Sequence, residues 1–418
     1  MTFEPFAFLP QISAGIVAAG YTTPTPIQSS AIPAILSGRD IMGLAQTGTG
    51  KTAAFVLPIL QRLYHGPRGK LRALIVAPTR ELAEQTHVAI SALGKQTGLR
   101  SMTIYGGVSA QPQQKALRAG VDIVVACPGR LLDLLNQRSL TLSNIEVLVL
   151  DEADQMFDMG FLPSIRKIVA AVPARRQTLM FSATMPPEIR KLATDMLTQP
   201  LTVDVDGDRP VESIQHAAVT VDQSRKTELL LELLHQAGNG QVLIFTRTKH
   251  RAKKLAEQLA KAGISATSLQ GNLSQNRRQE SLDRFRSGQV RVMVATDIAA
   301  RGIDVLKITH VINYDMPDTA EAYTHRIGRT GRMARQGAAI SLITPDDMPI
   351  LRTIERMLGN SLERRKMGGY DRPTAASVQA DRENFAFAAH SNPRPGSRSS
   401  GNRPDMRRGG NSQARTAR

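Results

Sequence analysis

Short apolar runs alternate with longer amphipathic stretches, and this alternation constrains the fold of the chain more than any other feature. Leu71–Ala77, Val121–Ala126, Ile145–Leu150 and Thr178–Ser182 read as strands, with helical spacing over Glu81–Leu93 and Phe161–Val172. A strand without a polar face is covered on both sides, and strand–helix alternation sets successive strands parallel. The pattern stops at Val205–Glu212, where Asp, Gly, Arg and Pro cluster without periodicity. It resumes with Gln241–Thr246, Ala266–Leu269, Val290–Ala295, Ile308–Asn313 and Ala338–Ile343. The expectation is two α/β lobes of similar size, 1–205 and 213–363, joined by a linker at 206–212.

Charge separates the remainder from this body. The chain carries 53 Lys and Arg against 36 Asp and Glu, a net +17, which points to a polyanion such as nucleic acid. Residues 364–418 hold 12 basic and 4 acidic side chains, so +8 lies in that stretch and +9 in the preceding 363 residues. Rich in Arg, Ser, Gly, Pro and Asn, with one Arg-Gly-Gly at Arg408–Gly410, it reads as a disordered basic tail. Such a tail serves either solubility or loose RNA tethering. One cysteine excludes a disulfide scaffold and a cysteine zinc site. No run approaches the ~18 apolar residues of a membrane span, and the first basic residue, Arg39, comes too late for a secretory signal. The expected location is the cytoplasm, away from membranes.

Ile41–Leu44 leads into Ala45-Gln-Thr47-Gly48-Thr49-Gly50-Lys51-Thr52 and then an amphipathic stretch, the strand–loop–helix context of a P-loop. Gly48 and Gly50 let the backbone turn its N–H groups toward a phosphate at the helix N-terminus. Lys51 suits the β- and γ-phosphates of ATP, and the Thr52 hydroxyl suits Mg2+. A hundred residues after Lys51, the run Ile145–Leu150 ends in Asp151-Glu152-Ala153-Asp154. A carboxylate at the end of a neighbouring parallel strand is placed to hold the metal, here Asp151, with Glu152 as candidate general base. The same acids could serve as helix caps. The second lobe has no P-loop after Gln241–Thr246, and instead offers His325-Arg326-Ile-Gly-Arg329-Thr-Gly-Arg332. Its arginines suit either a γ-phosphoryl arginine finger or a surface ion-pair cluster.

Together these motifs resemble those of the DEAD-box ATP-dependent RNA helicases, over about residues 3–360 and in the family's order. The resemblance implies two tandem RecA-like lobes, an RNA-stimulated ATPase that uses ATP and Mg2+, and RNA as partner. Within Gly20-Tyr21-Thr-Thr-Pro-Thr-Pro-Ile-Gln28 it assigns Gln28 and Tyr21 to the nucleotide, with Phe3 stacking on adenine. The loop residues Thr47 to Thr52 follow. Pro78-Thr-Arg80, Gly106-Gly107 and Pro128-Gly-Arg130 match first-lobe RNA motifs, carried by Arg80, Gly107 and Arg130. Asp154, Ser182-Ala-Thr184 and His325 match the groups that couple hydrolysis to strand separation. In the second lobe Arg278, Thr296 and Arg301 are assigned to RNA phosphates, Gly302 and Asp304 to the nucleotide, and Arg329 and Arg332 to the γ-phosphate.

Cys127 stands where the family usually has Thr, and a thiol is the weaker hydrogen-bond donor. Within the family the compact body and short basic tail look most like the bacterial RhlE branch. That branch implies roles in ribosome assembly or RNA turnover, and the chain is separately expected to be a monomer. A DNA translocase and a turnover-independent RNA clamp are the competing expectations. The Gln28 motif argues against the first, and the intact Lys51, Glu152 and Arg332 against the second.

Overall fold

The computed structural model of the protein describes residues 2–45, 48–205, 214–300, 305, 307–331 and 337–372. In the first lobe the strands are β1 (Ile41–Leu44), β2 (Ala73–Val76), β3 (Ser101–Ile104), β4 (Ile123–Ala126), β5 (Val147–Leu150), β6 (Gln177–Ser182) and β7 (Leu201–Asp204). They form one parallel sheet in the order β3-β4-β2-β5-β6-β1-β7. The second lobe contributes β8 (Ile214–Thr220), β9 (Gln241–Phe245), β10 (Ala266–Leu269), β11 (Val292–Ala295), β12 (Ile308–Asn313), β13 (Gly337–Ile343) and β14 (Glu363–Arg365). These are also parallel, in the order β10-β11-β9-β12-β13-β8-β14. Every residue of β2, β4, β5, β6, β9 and β11 is buried, the double-sided coverage that their unbroken apolar runs demand.

Local chemistry explains the helices that carry functional residues. The helix Arg80–Leu93 starts where the Thr79 hydroxyl accepts the Leu82 N–H at 3.3 Å, an N-cap, and it ends at Gly94. Its Leu82, Ala83, Thr86, Ile90 and Leu93 fall at helical spacing and are buried, leaving a polar outer face. In an open parallel sheet the loops beyond the carboxyl ends of the strands share one rim. The motifs lie on those loops: Thr79–Arg80 after β2, Gly106–Gly107 after β3, Pro128–Arg130 after β4, Asp151–Asp154 after β5 and Ser182–Thr184 after β6. Thr296 follows β11 in the same way.

The observed strands keep the expected apolar runs with ends shifted by at most two residues: most are trimmed, while β6 and β13 begin one residue earlier. β3, β7, β8 and β14 carry no continuous apolar run, because three are sheet edges and β8 buries its residues only in part. One boundary needs correction. Sequence composition places 364–418 in a disordered tail, yet Glu363–Arg365 pair with Ala217–Val219 of β8. Beyond them the Tyr370 hydroxyl donates to Glu232 at 2.7 Å, and the Arg225 guanidinium lies 4.4 Å from the centre of its ring. The folded unit therefore runs to Arg372. A short Arg-rich strand on a sheet edge has no apolar signal, so composition alone assigns it to the tail. The linker 206–212 and residues 373–418 lie outside the described residues.

Candidate functional site

The P-loop turns through two left-handed glycines, Gly48 at φ 89° and Gly50 at φ 95°, before the helix Lys51–Leu63 begins. Lys51 is buried and its Nζ donates to the Ala45 carbonyl at 2.7 Å, which closes the loop over its own strand end. Thr52 is half-buried beside it. Gln28 reaches this loop from the helix Pro26–Leu36: its Nε2 donates to the Gly50 carbonyl at 3.1 Å, and its Oε1 accepts the Thr25 N–H at 3.0 Å. A Cβ on Gly50 would stand 2.6 Å from that amide nitrogen, so the contact itself requires glycine. Phe3 is buried and stacks on half-exposed Tyr21, ring centres 6.5 Å apart. Thr47 lies outside the described residues.

After β5 the chain buries three carboxylates in succession. Asp151 Oδ1 is inaccessible and has no hydrogen-bond partner among the described residues. Burial pushes the Asp151 carboxyl above the usual carboxylate range, with the Lys51 cation opposing the rise. Glu152 adopts the left-handed conformation, φ 54° and ψ 56°, rare outside glycine and asparagine. Asp154 is sewn to the loop after β6: its Oδ2 accepts the N–H groups of Ala183 and Thr184 at 3.0 and 2.9 Å and the Thr184 hydroxyl at 3.1 Å. Its own N–H donates to Ser182 Oγ, which donates in turn to the Thr184 carbonyl. From the other lobe, His325 Nε2 stands 3.8 Å from Asp154 Oδ2. Burial would raise this carboxyl, but the nearby His325 imidazole, with Lys51 and the Thr184 amide, holds it well below the carboxylate range. A cavity of about 50 Å³ opens at this seam, walled by Glu152 and Asp154 of the first lobe and by His325 and Arg329 of the second. Arg332 lies outside the described residues.

A second cavity, about 830 Å³, runs along the same seam on the rim of β2, β3, β4 and β11. Arg80, Gly107, Arg130, Arg278 and Thr296 all line it, so the structure gathers five residues that are scattered over more than two hundred positions of sequence. The Arg80 guanidinium lies 5.7 Å over the Tyr105 ring and donates to Gln275 Oε1 at 2.9 Å. A Cβ on Gly107, which has φ 71°, would fall 2.0 Å from that guanidinium. Arg130 donates to the Val108 carbonyl at 3.0 Å. Cys127 shares the wall; burial, with Glu81 adding, pushes its thiol up to about 12.

The DEAD/DEAH box helicase family matches residues 25–192, and the helicase conserved C-terminal domain matches residues 225–334. The chain is 40% identical over 367 residues to the DEAD-box ATP-dependent RNA helicase CshA of Bacillus subtilis, spanning 88% of this chain and 74% of the relative. It is 44% identical over 346 residues to the RNA helicase CrhR of Synechocystis sp., spanning 82% and 70%. The chain belongs to the DEAD-box RNA helicase family. As a DEAD-box protein it also shares an arrangement of lobes with solved structures. S. cerevisiae Dbp5 bound to RNA and ADP BeF3 superposes with TM-score 0.81 at 31% identity, covering 92% of this chain and 99% of that one. The DEAD box protein of Methanococcus jannaschii, at 37% identity, reaches only 0.54 over 88% of this chain and 99% of its own. That superposition with Dbp5 spans both lobes of this DEAD-box chain together.

Among the charged residues of the large cavity, Glu81, Asp133, Arg247 and Lys249 escape sequence reasoning. For Arg247 and Lys249 a signal existed, since both directly follow a strand end at the functional rim. Arg301, Gly302 and Asp304 lie outside the described residues. Among the described residues no three His, Cys, Asp or Glu side chains gather into a metal site, and no helix is long and apolar enough to cross a membrane.

Proposed function

We infer that the chain is an ATP-dependent RNA helicase that opens short duplexes or remodels RNA–protein complexes locally, with hydrolysis tied to closure of its lobes. The observation that carries this reading is the seam, where Glu152 and Arg329 from different lobes wall one small cavity and basic groups of both lobes wall the large one beside it. ATP takes the P-loop, with Gln28, Phe3 and Tyr21 toward adenine and Thr47 to Thr52 around the phosphates, so that the small seam cavity walled by Glu152 and Arg329 faces its γ-phosphate. The orphaned buried Asp151 Oδ1 fits a cation, and with Thr52 it would hold Mg2+. When bound, the metal neutralises charge on the β- and γ-phosphoryl oxygens.

Glu152 orients the attacking water and takes its proton as the water oxygen bonds the γ-phosphorus and the bond to the β-phosphate oxygen breaks. Arg329 and Arg332 stabilise the charge on the transferred group, and they can do so only when the lobes are closed. Gly302 and Asp304 complete the nucleotide site. Asp154, Ser182, Thr184 and His325 relay its state across the seam. Arg80, Gly107, Arg130, Arg278, Thr296 and Arg301 hold RNA by its phosphates, which carry no sequence information, so binding is sequence-blind. Membership of the RhlE branch, work in ribosome assembly or RNA turnover as a monomer, and a tail that tethers RNA complete the proposal. Glu152→Gln tests it: nucleotide and RNA binding persist while RNA-stimulated phosphate release is lost. Wild-type phosphate release in that variant removes Glu152 from the role of base.

A further inference from the structure

Two of the arginines proposed to hold RNA are already engaged across the seam. Arg278 donates through Nε at 3.0 Å and Nη2 at 2.7 Å to one oxygen, Oε1, of Glu81, 197 residues away in the other lobe. The side chains are 14% and 5% exposed, so water screens the pair weakly. Beside it Arg80 of the first lobe donates to Gln275 of the second at 2.9 Å. Both contacts lie in the wall of the large cavity. At the nucleotide end of the seam His325 approaches Asp154, so polar contacts join the lobes at both ends.

A carboxylate in a channel for a polyanion is at first sight misplaced, since it repels the ligand and occupies one of the groups meant to bind it. The lobe placement resolves this. The pair is formed with both lobes superposing together on a relative bound to RNA and ADP BeF3, so it is compatible with an RNA-loaded arrangement. Both donors on Glu81 use the Nε and Nη2 side of the guanidinium, which leaves Nη1 for a phosphate. We propose that Glu81 is a positioning residue that clamps Arg278 in its RNA-facing orientation and ties the second lobe to the first, so that RNA engagement favours closure.

This rests on the helicase reading above and adds to it a residue that acts through Arg278. Glu81 also sits in the first turn of the helix Arg80–Leu93, where a carboxylate favours the helix dipole, and that purely structural role must be separated. The test is a double-mutant cycle of Glu81→Gln and Arg278→Gln, measuring RNA-stimulated ATP hydrolysis against the concentration of a single-stranded RNA. Glu81→Gln is expected to raise the half-maximal RNA concentration by about tenfold, more than it lowers the maximal rate, and to have less than about a twofold effect once Arg278 is Gln. Equal effects in both backgrounds, or tighter RNA binding by Glu81→Gln, overturn the clamp. The unmodified chain separates the two claims. If it is stimulated by RNA but the variants are additive, only the clamp fails; if RNA does not stimulate it, the helicase reading fails and the clamp with it.

Discussion

Arg326 is the residue whose removal the structure prices most clearly. It is buried on the helix Ala320–Ile327, between His325 and the loop bearing Arg329. Its Nε and Nη2 donate to the two oxygens of Asp297 at 2.5 and 2.7 Å, and its Nη1 donates to Asn313 Oδ1 at 3.1 Å and the Asp315 carbonyl at 2.7 Å. The guanidinium lies 5.0 Å from the centre of the Phe245 ring. Arg326→Met keeps the stem and deletes every one of these contacts. Asp297, with a side chain 37% exposed, regains water at small cost. Buried Asn313 and the Asp315 carbonyl lose a donor, at ~1–3 kcal/mol each. Together with the lost ring contact, the two orphaned acceptors bring the expected loss to about 3–5 kcal/mol. Hydrogen exchange resolves where it falls: protection of β12 should drop by that amount while β5 in the first lobe holds its own. Urea unfolding should be followed by far-UV circular dichroism, because the chain has no tryptophan. A loss below about 1 kcal/mol, or one shared equally by both lobes, refutes the assignment of Arg326 as the brace of the second lobe.

Gly107→Ala sets a Cβ against the Arg80 guanidinium at a positive φ, so RNA affinity by fluorescence anisotropy should fall about tenfold; unchanged affinity means Arg80 does not need that position. A chain ending at Arg372 should melt within ~2 °C of full length, whereas one ending at Leu362 loses β14 and the Tyr370 anchor and should melt ~5 °C lower or more. The same 1–372 chain should bind RNA more weakly than full length, chiefly at low salt, and equal affinity across a salt series excludes the tether. The Cys127 thiol, pushed from 9 to about 12, should resist iodoacetamide at pH 8 by about a thousandfold relative to the unfolded chain, and fast labelling contradicts its burial. Because the folded thiol keeps a proton that the unfolded one releases, its contribution to stability is present below pH ~9 and falls as pH rises beyond it.

The sequence by itself determined the α/β class, the two lobes and the phosphate loop, because these depend on local patterns. A buried parallel strand must be apolar throughout, and a loop that turns twice through positive φ must place glycine at 48 and 50. The end of the folded body was illegible for the converse reason: Arg364 and Arg365 pair through their backbone, which no side-chain pattern reports. Only the tertiary structure decided what closes the site. Glu81 with Arg278, Asp154 with His325 and Arg326 with Asn313 and the Asp315 carbonyl are unremarkable in their own stretches. Each gains its role from a partner brought close by the fold, since electrostatics and hydrogen bonding act over a few ångströms of space and not along the chain.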